Sequence, residues 1–167
     1  MKAKLVVEGK EFNIEISDPE LQKLITSHKK TGYERVAYGE TYYWEDCLDA
    51  REEPETLDTV DDNAYDGANY YSDRAIAENN ARADMLMRQL RRFAVEHRKH
   101  NLDWSNMACC KYFIYYDYTK QKLKTACKIR DKQLFNIYFD SDVVANAAIE
   151  AFHDELIWYF AEYKDSL

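Results

Sequence analysis

The chain has 167 residues, 46% of which are hydrophobic, and a formal net charge of −8. It is long enough for one domain or two small lobes, and its apolar content argues against a wholly disordered protein. No stretch approaches the roughly 18 apolar residues of a membrane span, and the first residues lack the apolar core of a signal peptide. We therefore expect a cytoplasmic protein whose four cysteines stay reduced. The four glycines stand alone, which excludes glycine-rich phosphate loops.

The first region, residues 1–44, is predicted to form a small β-rich lobe. In "AKLVVEGKEFNIEIS", apolar and polar residues alternate on both sides of a turn, which indicates a hairpin of about residues 3–8 and 11–16. A short helix is predicted to begin at Asp18, which can act as its N-cap. The segment "YERVAYGETYYWE" predicts a second hairpin that turns at Gly39.

The second region, residues 45–71, is predicted to be an acidic connector without regular structure. Residues 40–73 contain twelve Asp and Glu against one basic residue, Arg51, and show no apolar period. Acids interleaved with tyrosines can imitate a nucleic acid and occupy a basic groove of another protein. The candidate partner-binding residues are Glu45, Asp46, Asp49, Glu52, Glu53, Asp58, Asp61, Asp62, Asp66, Tyr70 and Tyr71. An ordinary solubilising loop is the alternative interpretation.

The third region, residues 72–167, is predicted to be a long helix followed by a sheet and a closing helix. Ser72 or Asp73 caps a helix that runs to about His100 and could bridge two lobes. The segments "KYFIYYDYTKQKLKTACKIR" and "QLFNIYFDS" predict three strands, and Ser141 caps a helix through "DVVANAAIEAFHDELIWYFAEY". The expected fold class is α+β: an N-terminal β-hairpin lobe, a long bridging helix, and a C-terminal three-stranded antiparallel sheet packed by a C-terminal helix.

The predicted long helix is amphipathic and basic. At 100° per residue, its apolar stripe contains Ile76, Ala83, Met87, Leu90, Ala94 and His97. The opposite side and the flanks carry Arg88, Arg91, Arg92, Arg98 and Lys99. Three interpretations stay open: a solvated face, a nucleic-acid-binding face, or a seam between two copies of the chain. Residues 82–139 carry thirteen Lys and Arg against five acids, whereas the acidic segments on either side would repel phosphates.

Catalytic and metal-binding residue types form no recognisable pattern. His97, His100, Cys109 and Cys110 lie close in sequence, but adjacent cysteines are not the usual zinc-chelating pair. The segment "DTVDDNAYDG" lacks the ligand spacing and the terminal Glu of an EF-hand. We therefore expect no metal site, no cofactor and no enzymatic activity.

Three stretches resemble a known family: "ETYYW", "NYYSDRAIAENNARADMLMRQLRRFAVEHR", and "IYFDS" followed by "AIEAFHDELIWYFAEYKDSL". They are similar to small, mostly uncharacterised proteins encoded by phages, prophages and other mobile elements of Firmicutes bacteria. The resemblance covers about the last 100 residues and brings no catalytic motif.

The resemblance implies an accessory protein acting in the bacterial cytoplasm, in a setting where small acidic proteins, anti-CRISPR proteins among them, block host defences. The implied partner is a host effector such as Cas9 with its guide RNA, which presents a basic nucleic-acid channel. The expected function is thus a non-enzymatic inhibitor that binds this channel. The alternatives are a nucleic-acid-binding accessory protein using the basic face of the predicted helix 73–100, and a self-associating structural phage protein; monomer and homodimer both stay open.

Overall fold

The computed structural model describes residues 2–7, 10–15, 30–47, 49–134 and 136–165. The chain divides into two compact units, residues 1–31 and 32–167. In the first unit, strands β1 (Lys2–Val7) and β2 (Lys10–Glu15) pair antiparallel along their whole length. The predicted N-terminal hairpin is confirmed, with each strand shifted by one residue. The helix predicted to begin at Asp18 lies outside the described residues.

The second unit has, among its described residues, two further hairpins and four helices. These elements are β3 (Thr41–Asp46), β4 (Asp49–Pro54), α1 (Thr59–Asp66), α2 (Arg74–Glu96), β5 (Lys111–Asp117), β6 (Lys122–Lys128), α3 (Asp142–Ala151) and α4 (His153–Ala161). Both hairpins are antiparallel and two-stranded. The predicted α+β class is confirmed.

The predicted position of the second hairpin is wrong. The turn that joins the two strands lies between Asp46 and Asp49, not at Gly39. Gly39 has a φ of 82° and precedes β3; its N–H donates to the Glu55 carbonyl at 2.8 Å, and the Glu55 N–H donates to the Glu40 carbonyl at 2.8 Å. The aromatic strand β3 thus pairs with the charged strand β4. An exposed edge strand can be rich in charge, so β4 has no apolar alternation to reveal it.

The prediction that residues 45–71 lack regular structure is also wrong, because they contain β4 and α1. Asp58 caps α1: its carboxylate accepts the N–H groups of Val60 at 2.7 Å and Asp61 at 3.1 Å. The Asp61 side chain in turn accepts the Asp58 N–H, which completes a capping box. The acidic composition suggests a loop, but two of these acids stabilise the start of a helix. They lie at the end where the helix dipole favours negative charge.

The predicted long helix is confirmed as α2. The Asp73 carboxylate accepts the Ile76 N–H at 3.0 Å, and the helix ends at Glu96. The first part of α2 packs on β3 and β4 and the later part on α3 and α4, so the elements it connects all belong to the second unit. The hairpin β3–β4 is therefore not part of an N-terminal lobe. The assignment of His97 to the buried stripe is wrong, because His97 is exposed and its ring stacks on Phe93 with the centroids 3.9 Å apart.

The described C-terminal sheet has two strands instead of the predicted three. Phe139 forms only an isolated bridge with Tyr112, through backbone bonds of 2.8 and 2.9 Å. The predicted closing helix is broken at Phe152 into α3 and α4. The core of this half consists of Leu86, Leu90, Ala94, Phe139, Val144, Ala145, Ala148 and Leu156. Ile76, Ala83, Leu86, Leu90 and Ala94 of α2 are buried within the chain and are therefore not available to a second copy in this conformation.

Candidate protein-binding surface

The two faces of the β3–β4 hairpin lie against different helices. Tyr43 and Ala50 pack on the buried Ile76 and Ala77 of α2. Neighbouring side chains of a strand point to opposite faces, so Tyr42 and Trp44 lie on the other side of the hairpin, toward α1. The hairpin is thus covered by the long helix on one face and shares the other with a short acidic helix.

Glu55, which follows β4, is fully buried and accepts four hydrogen bonds. Its donors are Arg35 through Nε at 3.1 Å and Nη2 at 2.9 Å, the Tyr70 hydroxyl at 2.6 Å and the Leu57 N–H at 3.0 Å. Arg35 also binds Asp62 of α1 through Nη1 at 2.7 Å. The two carboxylates raise the pKa of Arg35, while burial and the bond to Glu55 raise the pKa of Tyr70. Arg35 therefore ties the segment before the hairpin to the segment after it.

Asp61 is 3% exposed and holds the start of α1 in place. Its carboxylate accepts the N–H of Thr56 at 2.7 Å and the hydroxyl of Thr56 at 2.9 Å. Burial acts to raise the pKa of Asp61, but hydrogen bonds from Thr56, the Asp58 backbone and Tyr42 lower it to about 2. Burial and Asp61 raise the pKa of Tyr42 to about 12, and the Tyr42 ring stacks on Tyr70 with the centroids 4.1 Å apart.

The structure divides the eleven predicted partner-binding residues into groups. Asp61, Tyr70 and Tyr71 are 2–4% exposed and belong to the core, so they are not available to a partner in this conformation. Glu45 is half-buried and accepts a hydrogen bond from the Tyr71 hydroxyl, and Asp46 is half-buried in an ion pair within the hairpin. The exposed members are Asp49, Glu52, Glu53, Asp58, Asp62 and Asp66.

We call these six exposed carboxylates the acidic surface. Asp58, Asp62 and Asp66 follow one another at four-residue steps along one side of α1, and the other three lie on β4. Two of the six have basic partners: Asp62 binds Arg35, and Glu52 lies 3.9 Å from Arg74. The backbone that carries the acidic surface is a hydrogen-bonded hairpin and a capped helix, so its charges have fixed positions.

A cleft of about 430 Å³ separates the hairpin from α1, within the size range of ligand pockets. The hairpin contributes Tyr42, Trp44, Glu53 and Pro54, the linking turn contributes Thr56 and Asp58, and α1 contributes Val60, Asp61 and Ala64, with Asn69 beyond. Three carboxylates and two aromatic rings therefore border one cavity within the acidic region.

The predicted basic residues stay on the outer side of α2 and beyond its end. Arg88 donates Nη2 to the Cys47 carbonyl at 2.7 Å, and Arg92 lies 3.9 Å from Glu96 in an i,i+4 pair. Such pairs neutralise part of the charge of this face. The exposed residues of this set are Arg88, Arg91, Arg92 and Lys99, whereas Arg98 is half-buried.

Sequence reasoning did not single out Arg35, Glu55 or Trp44. The two-residue step from Tyr42 to Trp44 was a signal available in the sequence, because it puts two rings on one face of a strand. No local sequence pattern indicated the role of Arg35, because its partners Glu55 and Asp62 are 20 and 27 residues away.

Comparisons with protein-family models, with curated proteins and with solved structures found no match for this chain. Within the described part of the chain, no three His, Cys, Asp or Glu side chains come together as a metal site. None of the described helices is both long enough and apolar enough to cross a membrane.

Proposed function

We propose that the chain is a non-enzymatic inhibitor of a host defence protein and that it binds a basic, nucleic-acid-binding groove of that protein through the acidic surface. The observation that carries the proposal is the fixed set of exposed carboxylates on β4 and α1. The sequence resemblance to mobile-element proteins supplies the class of partner, with Cas9 in the bacterial cytoplasm as the first candidate.

The ordered backbone supports this proposal physically. A flexible acidic loop would lose conformational entropy on binding, whereas a hairpin and a capped helix present their charges already positioned. Opposite charges steer the encounter and raise the association rate, most strongly at low ionic strength. The complex is therefore expected to form quickly and to weaken as salt is added.

Charge neutralisation on the surface tests the proposal. The variant Asp49→Asn/Glu53→Gln/Asp66→Asn removes three charges but leaves Asp58, Asp61 and Asp62 with their structural bonds. We expect its affinity for purified Cas9, with and without guide RNA, to fall about tenfold and to depend less on salt.

The matched control removes three exposed acids of the C-terminal half, in Asp131→Asn/Glu150→Gln/Asp165→Asn. It has the same net charge as the test variant and should bind like the unmodified chain. If both variants weakened binding equally, the effect would come from net charge and not from the acidic surface. If the unmodified chain did not bind Cas9, this choice of partner would be refuted.

Direct nucleic-acid binding is the second candidate function, because Arg91, Arg92 and Lys99 are exposed together near the end of α2. Replacing these residues with Gln should lower the salt dependence of binding by about one unit of slope for each phosphate interaction that is removed. The measurement is a DNA and RNA mobility shift at low salt. A shift that is unchanged in the triple Gln variant would refute the assignment to this face.

A further inference from the structure

The cleft between the hairpin and α1 combines an aromatic wall with negative charge. The Trp44 indole forms part of its hairpin side, and Val60, which is 66% exposed, forms part of its helix side. Glu53, Asp58 and Asp61 all border the cleft, and none of the residues that line it is basic. A cation entering the cleft would thus meet carboxylates and an aromatic ring, two kinds of group that attract cations.

Each of the other two tryptophans already makes a cation–π contact with a basic residue of the same chain. The Arg82 guanidinium carbon lies 3.9 Å from the ring centroid of Trp158, and the Lys111 ammonium lies 5.3 Å from that of Trp104. No described residue places a cation over Trp44. Arg51 is directly opposite Trp44 in the hairpin, but its Nε binds Asp46 at 3.1 Å.

The carboxylates of the cleft differ in their roles. Asp61 is held by Thr56 and the start of α1, and these hydrogen bonds lower its pKa, so it supplies a fixed negative charge to the lining of the cleft. The Asp58 carboxylate already accepts the backbone N–H groups at the start of α1 as its N-cap. The Glu53 side chain is exposed and makes no hydrogen bond or ion pair with any described residue, which leaves both carboxylate oxygens to an incoming donor.

From these contacts we infer that the cleft receives an arginine side chain of the partner protein. A guanidinium can stack flat on Trp44 and at the same time donate hydrogen bonds, in its own plane, to Glu53. The compact ammonium of lysine cannot do both. The volume of about 430 Å³ accommodates the long side chain. The inference rests on the proposed function, because it names the group of the basic partner that this surface recognises.

A minimal probe tests the cleft without any partner protein. N-acetyl-arginine N-methylamide is titrated into the full chain while the Trp44 indole N–H is followed by two-dimensional NMR. The matching citrulline derivative has the same shape without the charge and serves as the ligand control. We expect a saturable shift of the Trp44 signal with the arginine probe alone, with the signals of Trp104 and Trp158 unmoved.

Two further variants sharpen the test. Glu53→Gln should weaken binding of the arginine probe about fivefold or more, whereas Glu150→Gln, which neutralises an exposed acid of α3, should change the affinity by less than about twofold. Trp44→Leu keeps an apolar side chain in the cleft but removes the aromatic ring, so this variant should bind the arginine probe more weakly. Its binding is followed on the amide signal of Val60. The NMR spectrum of each variant also reports whether the hairpin is still folded.

The outcomes separate this inference from the proposed function. Equal binding of arginine and citrulline probes, no shift at Trp44, or full affinity in Glu53→Gln would overturn the cleft assignment, even if the chain captures Cas9. Arginine binding at Trp44 without capture of Cas9 would support the cleft while refuting that partner.

Discussion

The hairpin half of the second unit, residues 32–72, and the half that follows it are stabilised in different ways. The C-terminal half has an aliphatic core in which Leu86, Leu90 and Ala94 of α2 meet α3 and α4. The hairpin half instead has stacked tyrosines and a buried carboxylate, Glu55, with a complete set of donors. An acid-rich segment can therefore be ordered without an apolar period, provided that each buried charge has its partners.

The largest expected effect is the removal of one partner of the Arg35–Glu55 ion pair, whose carboxylate is fully buried. Arg35→Leu leaves the buried Glu55 side chain without its two guanidinium bonds and should destabilise the protein by about 3–5 kcal/mol in urea unfolding. Arg51→Leu, which breaks an exposed pair in the same hairpin, should change the unfolding free energy by less than about 1 kcal/mol. Similar values for the two variants would contradict the proposed ionic core.

A cavity in the C-terminal core is expected to have a comparable or slightly smaller effect. Leu86→Ala removes a side chain that is 1% exposed and should lower the unfolding free energy by about 2–5 kcal/mol. Val143→Ala on the exposed side of α3 is the control, with an expected change within about 0.5 kcal/mol. If Leu86→Ala were as mild as its control, the aliphatic cluster would not be the stabilising core of this half.

The helix cap of α1 should have a moderate effect. Asp58→Ala removes the acceptor of two backbone N–H groups and should lower the unfolding free energy by about 0.5–2 kcal/mol. Asp66→Ala, in the last turn of the same helix, removes an acid from the end where the dipole disfavours it and should be neutral or slightly stabilising. A larger loss for Asp66→Ala than for Asp58→Ala would show that α1 does not depend on its cap.

The effect confined to the narrowest range of conditions is a pH dependence that separates the unmodified chain from Asp61→Asn. The pKa of Asp61 is about 2 in the folded chain against 3.8 as its ordinary value, so its charged form stabilises the fold above about pH 4. That contribution is lost as the pH falls toward 2. The stability advantage of the unmodified chain over Asp61→Asn should therefore shrink over this interval in urea unfolding, and an advantage that grew instead would reverse the assigned direction.

The sequence was sufficient where the structure depends on local patterns. The alternation of "AKLVVEGKEFNIEIS" predicted β1 and β2, and the apolar period with an Asp cap predicted α2. It was insufficient where order depends on distant partners. Arg35 binds Glu55 and Asp62, which are 20 and 27 residues away, and no periodicity reveals such contacts.

The C-terminal errors have a similar cause. Alternation in "QLFNIYFDS" suggested a strand, but among the described residues of this segment only Phe139 forms a backbone bridge to the hairpin. The apolar pattern runs without interruption through Phe152, where the helix breaks and the ring packs edge-on against Phe93 at 5.6 Å between centroids. In the candidate site, exposed acids such as Glu53 were found from composition, whereas the burial of Tyr70 and Tyr71 depends on α1 and α2 covering the hairpin.

Strand β4 has a consequence for the solution behaviour of the protein. It is the free edge of its sheet, because β3 lies on one side of it and no described strand pairs with the other. Unpaired edges invite strand addition by other molecules, and the charges and terminal proline of "DAREEP" oppose this. The same carboxylates that we assign to recognition thus protect the chain from aggregation, and a variant that lacks them would lose colloidal stability before it lost its fold.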